Sequence, residues 1–157
     1  MSNYQNLFVK LVTSLASAVI ISLCFISPAT AVTQKLQLNS AAGYIVETTF
    51  SYDENQTPMI IKEQGVGKTN VIDSMKVSFY KPSGEIIASY DNIVDGVSQG
   101  TYFEFNFAPT TQKLLGNIDL GGESIGEMYL KGEIEQGLSL IEVETTGEEK
   151  IIDRVYR

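Results

Sequence analysis

The chain has 157 residues, with 11 Lys and Arg against 19 Asp and Glu for a net charge of −8, one Cys, no His and no Trp. Without imidazole, Ser-His-Asp and Cys-His catalysis, thiolate–imidazole zinc sites and c-type haem attachment are out of its reach. The negative sign and the lack of any Lys/Arg cluster argue against nucleic acid as a partner and disfavour anionic membrane surfaces.

The first 31 residues read as a secretory signal. Lys10 supplies the positive start, Leu11 to Ile26 the apolar stretch, and Ala29-Thr30-Ala31 the small residues that a signal peptidase requires, so cleavage is expected after Ala31. A retained membrane anchor is the alternative, and the Ala-x-Ala ending weighs against it. A lipid anchor at Cys24 is weaker, because Leu23 stands where a small residue is needed. Removing this segment takes away one Lys, the only Cys and no acid, leaving 126 residues with 10 cations against 19 acids, a net −9. No stable membrane insertion is expected afterwards, and a location in the periplasm, cell envelope or extracellular space follows. With no disulfide to help, the remaining chain must be held by its core, as one domain.

Residues 32–42, "VTQKLQLNSAA", read as an N-terminal lead to a domain spanning 43–157. From there the hydrophobic period is two. In "YIVETTFSY" Tyr44, Val46, Thr48, Phe50 and Tyr52 share one face; in "SMKVSFY" Met75, Val77 and Phe79 do, and in "TYFEFNF" Phe103, Phe105 and Phe107. "KLLGNIDL" places Leu114, Gly116, Ile118 and Leu120 together, and "EMYLKGEI" Met128, Leu130 and Ile134. "PMIIKE", "EIIASYDN", "LSLIEVE" and "KIIDRVY" are strands whose adjacent apolar residues leave the register open. "KPSG", "EQG" and "TTGEE" supply the turn chemistry of hairpins.

The pattern predicts an all-β domain, a single antiparallel meander of about nine strands. An up-and-down barrel is favoured and a sandwich of two packed sheets is the alternative. The barrel is lipocalin-like in architecture only, since the Gly-x-Trp signature of lipocalins cannot occur in a chain without Trp.

"EQGVGKTN", Glu63 to Asn70, resembles the lip of a phosphate-binding loop. That loop needs a Gly five residues before the Gly-Lys pair and a helix after it. Here the first position is Lys62 and "NVIDSMKVSFY" follows, so no nucleotide-binding residue is assigned. "DNIVDG" offers Asp91 and Asp95 as weak calcium ligands, with an Asp/Asn/Gly turn as the competing reading. "DLGGES" puts Asp119 and Glu123 beside paired glycines, the residue types of a carbohydrate or acid–base site or of a solvated hairpin end. Asn55-Gln56-Thr57 matches a glycosylation acceptor but runs straight into Pro58.

Met75, Val77, Phe79, Phe103, Phe105 and Phe107 remain as candidates to line an apolar pocket if the strands close around one, or else to form ordinary core. No catalytic residue and no cofactor is indicated. The chain is therefore expected to be a non-catalytic interaction module whose partner is a protein or polymer. A carrier of a small apolar ligand comes second, and a hydrolase using carboxylates third.

Overall fold

The computed structural model describes residues 31–155. The signal expected over residues 1–31, Cys24 included, lies outside the described residues except for Ala31. Thirteen strands follow one another: β1 (Ala31–Asn39), β2 (Ile45–Asp53), β3 (Ile61–Gln64), β4 (Gly67–Lys68), β5 (Ile72–Tyr80), β6 (Ile86–Val94), β7 (Val97–Ser98), β8 (Glu104–Ala108), β9 (Lys113–Leu114), β10 (Asn117–Gly121), β11 (Met128–Glu133), β12 (Gly137–Val143) and β13 (Glu149–Val155). The protein is all-β, in two antiparallel sheets. Among the described residues no helix is long and apolar enough to cross a membrane.

The six-stranded sheet runs β1-β2-β5-β6-β7-β4 and the seven-stranded one β13-β12-β11-β10-β8-β3, with β9 paired to β8. Hairpins set much of this order, and the expected turns make them. Gly84 N–H donates to the Lys81 carbonyl between β5 and β6, and Gly147 N–H to the Glu144 carbonyl between β12 and β13. Asp95 and Gly96 both take positive φ, +50° and +70°, which lets a two-residue turn match the twist of β6 and β7.

Three expectations are corrected. Residues 32–42 are not a lead: β1 pairs with β2 over its whole length, with Val32, Leu36 and Leu38 turned towards the core. Among the described residues the strand count rises from about nine to thirteen, because β1 joins the domain and β4, β7 and β9 are two-residue ladders too short to show a period. "KLLGNIDL" is two strands, broken where Gly116 turns to φ +54°.

The chain also departs from a simple meander. β3 leaves the first sheet to pair with β8 in the second, and two residues later β4 is back in the first, paired with β7. Between the sheets lies one core that draws on both, from Val46, Phe50, Met75, Val77 and Phe79 on one side to Phe105, Phe107, Leu120, Leu130 and Leu140 on the other. The Phe50 ring meets those of Phe105 and Phe107 edge-on, at 5.0 Å between centroids in each case. Such contacts add to burial worth roughly 2–3 kcal/mol per large apolar side chain.

Candidate functional site

The apolar residues proposed to line a pocket are all deeply buried. Met75, Val77, Phe79, Phe103, Phe105 and Phe107 are each at most 2 % exposed and belong to the common core. Across the sheets it is Phe50, absent from that set, whose ring meets Phe105 and Phe107 directly.

The Glu63–Asn70 stretch is built around a carboxylate of its own. Glu63 is 3 % exposed and accepts from the backbone N–H groups of Asn70 at 2.9 Å and Val71 at 2.8 Å, and from Asn70 Nδ2 at 3.2 Å. The amides at the end of the loop are therefore occupied by the protein's own anion. The chain then enters β5, so no helix terminus points back at the loop.

Asp91 and Asp95 are not brought together. Asp91 lines a cleft with Glu123 and Glu127, whereas Asp95, in the turn after β6, lines another with Asp53 and Asp73. The extended strand between them keeps them apart. Among the described residues no three His, Cys, Asp or Glu side chains form a set that would hold a metal ion.

Asp119 and Glu123 do converge, on the outer face of the seven-stranded sheet. Strand alternation sends Ile118 and Leu120 inward and Asp119 outward, opposite Lys131 of β11 and Glu104 of β8. Tyr129, two residues before Lys131, shares that outer face and packs with Ile141 and Val143. Asp119, Glu123, Tyr129 and Lys131 surround a cavity of about 370 Å³ with Tyr102 and Glu149.

The loop ahead of β8 is pinned by Glu123, whose carboxylate accepts from the N–H groups of Thr101 at 3.0 Å and Tyr102 at 2.8 Å. Gly100 permits this approach: a Cβ there would lie 2.7 Å from Glu123 Oε1. Tyr102 is thereby held at the rim by its backbone while its side chain is left 69 % exposed.

The electrostatics of the cavity are mixed. Lys131 Nζ lies 3.3 Å from Asp119 Oδ2 and 5.9 Å from the ring centroids of both Tyr102 and Tyr129, where it gains from both ring faces. Burial pushes the Asp119 carboxyl up to about 6, against the pull of Lys131 and with some help from the neighbouring Glu123 and Glu104. The Tyr129 hydroxyl is buried, without a hydrogen-bond partner among the described residues, and burial and the nearby Glu149 carboxylate push its pKa upward. The site thus offers carboxylate acceptors, an ammonium donor, one unmatched phenol and an exposed ring. It offers no nucleophile paired with a base, and both oxygens of Glu123 are already engaged by amides.

Asp119 and Glu123 stand out in sequence as acids beside glycines. Tyr102, Tyr129, Lys131 and Glu149 carried no such signal, since they reach the cavity from a loop and from two other strands.

A second cavity, of about 410 Å³, has mixed walls, with Gln37, Asn39, Gln112 and Lys113 beside a cluster of aliphatic side chains. Leu36 and Leu38 of β1, Leu114, Ile134, Leu138 and Val155 are among its lining residues. The chain matches no protein-family model, and no curated protein or solved structure is significantly similar to it.

Proposed function

We propose that this chain is an exported, non-catalytic binding module, built as a two-sheet sandwich, that takes a protein or polymer on the outer face of its seven-stranded sheet. The observation that carries the reading is the cavity around Tyr102, Asp119, Tyr129 and Lys131, with an exposed aromatic ring fixed at its rim and, inside, a buried phenol beside Glu149 that makes no hydrogen bond of ordinary geometry among the described residues. Rigid aromatic side chains of this kind dominate the energetics of recognition surfaces. Export rests on the pattern of residues 1–31. The sandwich is supported by the ends of the two sheets, β1 and β13: between them stands a single backbone bond, from Ala41 N–H in the connection after β1 to the Arg154 carbonyl of β13 at 3.2 Å, and no ladder.

The test is co-sedimentation of the purified protein with the envelope and extracellular polymer fractions of its host, wild type against Tyr102→Ala. Wild type should bind and the variant, unchanged in melting temperature, should lose about tenfold in affinity, the scale of 1.4 kcal/mol. Absence of binding, or binding indifferent to Tyr102, would sink the reading.

The cavity whose aliphatic wall is Leu36, Leu38, Leu114 and Leu138 favours a second reading, a carrier whose small ligand, apolar on that side, lies there and not within the Phe103–Phe107 stripe. Native mass spectrometry of protein isolated gently from its host separates the two. A sub-kilodalton excess mass that vanishes on denaturation supports the carrier, and a bare chain or a complex with another macromolecule supports the module.

A further inference from the structure

We infer that the ligand of the outer-face cavity is a neutral saccharide, stacked on the Tyr102 ring with its hydroxyl groups shared among Asp119, Lys131 and the Tyr129 hydroxyl. The inference rests on the binding-module reading and names its ligand class.

Charge narrows the choice first. Asp119, Glu123 and Glu149 surround the cavity against the single cation Lys131, so a phosphate, sulfate or carboxylate ligand would enter a field of its own sign. An ammonium ligand meets a different obstacle. The negative field would attract it, but the position beside Asp119 is already held by Lys131, 3.3 Å away and over both tyrosine rings, so a second ammonium would have to displace that ion pair. A neutral, hydroxyl-rich molecule escapes both penalties.

Its hydroxyl groups also match what the walls present. Each hydroxyl donates one hydrogen bond and accepts others, and the Asp119–Lys131 pair sets an acceptor 3.3 Å from a donor, so one hydroxyl can bond both. The Tyr129 phenol, 6 % exposed, lies beside the Glu149 carboxylate and makes no hydrogen bond of ordinary geometry among the described residues, so it still has capacity for a further bond. A ligand hydroxyl in the cavity supplies that bond. Tyr102 provides the remaining element, a flat apolar face open to solvent on which the C–H face of a pyranose can lie while its hydroxyls stay at the edges. The backbone clamp from Glu123 limits the ordering cost of holding the ring-bearing loop in place.

Ligand-observed saturation-transfer NMR on the full-length purified chain tests this, with separate pools of neutral oligosaccharides of glucose, mannose, galactose and xylose, one pool of hexuronate oligomers and one of amino-sugar oligomers. At least one neutral pool should give transfer. Tyr102→Ala should weaken it about tenfold, and Tyr129→Phe, which removes only the hydroxyl, should weaken it several-fold at unchanged melting temperature. Transfer from no neutral pool, from the charged pools alone, or to the same degree after Tyr102→Ala overturns the inference. If it fails while binding to the envelope fraction still depends on Tyr102, the module reading stands with a protein as partner. If that dependence is missing too, both readings fall.

Discussion

Asn92 and Gly121 clasp each other across the two sheets: Gly121 N–H donates to Asn92 Oδ1 at 2.9 Å, and Asn92 Nδ2 donates to the Gly121 carbonyl at 2.7 Å. Asn92 is 4 % exposed in β6 and Gly121 closes β10, so one side chain satisfies both backbone groups of a residue in the opposite sheet. Asn92→Ala should destabilise the fold by roughly 2–4 kcal/mol, because it leaves a buried donor and a buried acceptor unmatched. Urea unfolding followed by tyrosine fluorescence measures this, and a loss below about 1 kcal/mol would mean that the clasp is idle.

Gly121 carries a second demand. Its φ is +128°, and a Cβ there would lie 2.4 Å from the Met128 carbonyl oxygen and 2.8 Å from Tyr129 Cα, backbone atoms that cannot yield. Gly147, at φ +85°, has nothing within 4 Å of the same construction. Gly121→Ala should therefore cost upwards of about 3 kcal/mol, and Gly147→Ala only about 1 kcal/mol from backbone strain alone. Equal losses in a side-by-side denaturation series would contradict this account of the packing.

Glu63 is the anion that the amides of Asn70 and Val71 close upon. Glu63→Ala should remove roughly 3 kcal/mol by stranding those donors in a buried setting, and Glu63→Gln should lose less, since one acceptor oxygen is retained. Amide hydrogen exchange is the sharper readout: protection at Asn70 and Val71 should fall in Glu63→Ala well beyond the global change in stability. Uniform loss across the chain would argue against a local anchor.

The pH dependence of stability should carry the mark of Asp119. Its carboxyl is held up to about 6 in the folded protein against 3.8 for an unperturbed aspartate, chiefly by burial. Below about pH 4 both states are protonated and nothing is lost. Between about pH 4 and 6 the folded chain keeps a proton that the unfolded chain has released, so stability from this group falls as pH rises and levels off above the folded value. Asp119→Asn should match wild type at pH 4 and exceed it at pH 8, as melting curves at each pH will register. Parallel curves would count against a desolvated Asp119.

Much of the fold is readable from local periodicity. Alternation places Phe50, Val77, Phe105 and Leu130 on inward faces, and every one of them is buried. β1 has the same alternation in Val32, Leu36 and Leu38, obscured by the polar Gln34 at the intervening inward position and by the Ser-Ala-Ala run that follows. The pairing of β3 with β8 and of β4 with β7 is not readable in this way, because it depends on which distant strand offers a free edge. The site divides along the same line. Asp119 and Glu123 lie close in sequence beside paired glycines and are legible there, while Tyr102, Tyr129, Lys131 and Glu149 join them only through sheet register and loop placement.

The passage of β3 and β4 between the sheets bears on how the molecule unfolds. Residues 61–68 pair into both sheets within a single short stretch, so the backbone ties the two sheets together there. Separating the sheets must break the pairing at this crossing and the Asn92 clasp as well. The two sheets are therefore expected to unfold together in one cooperative step, not one after the other.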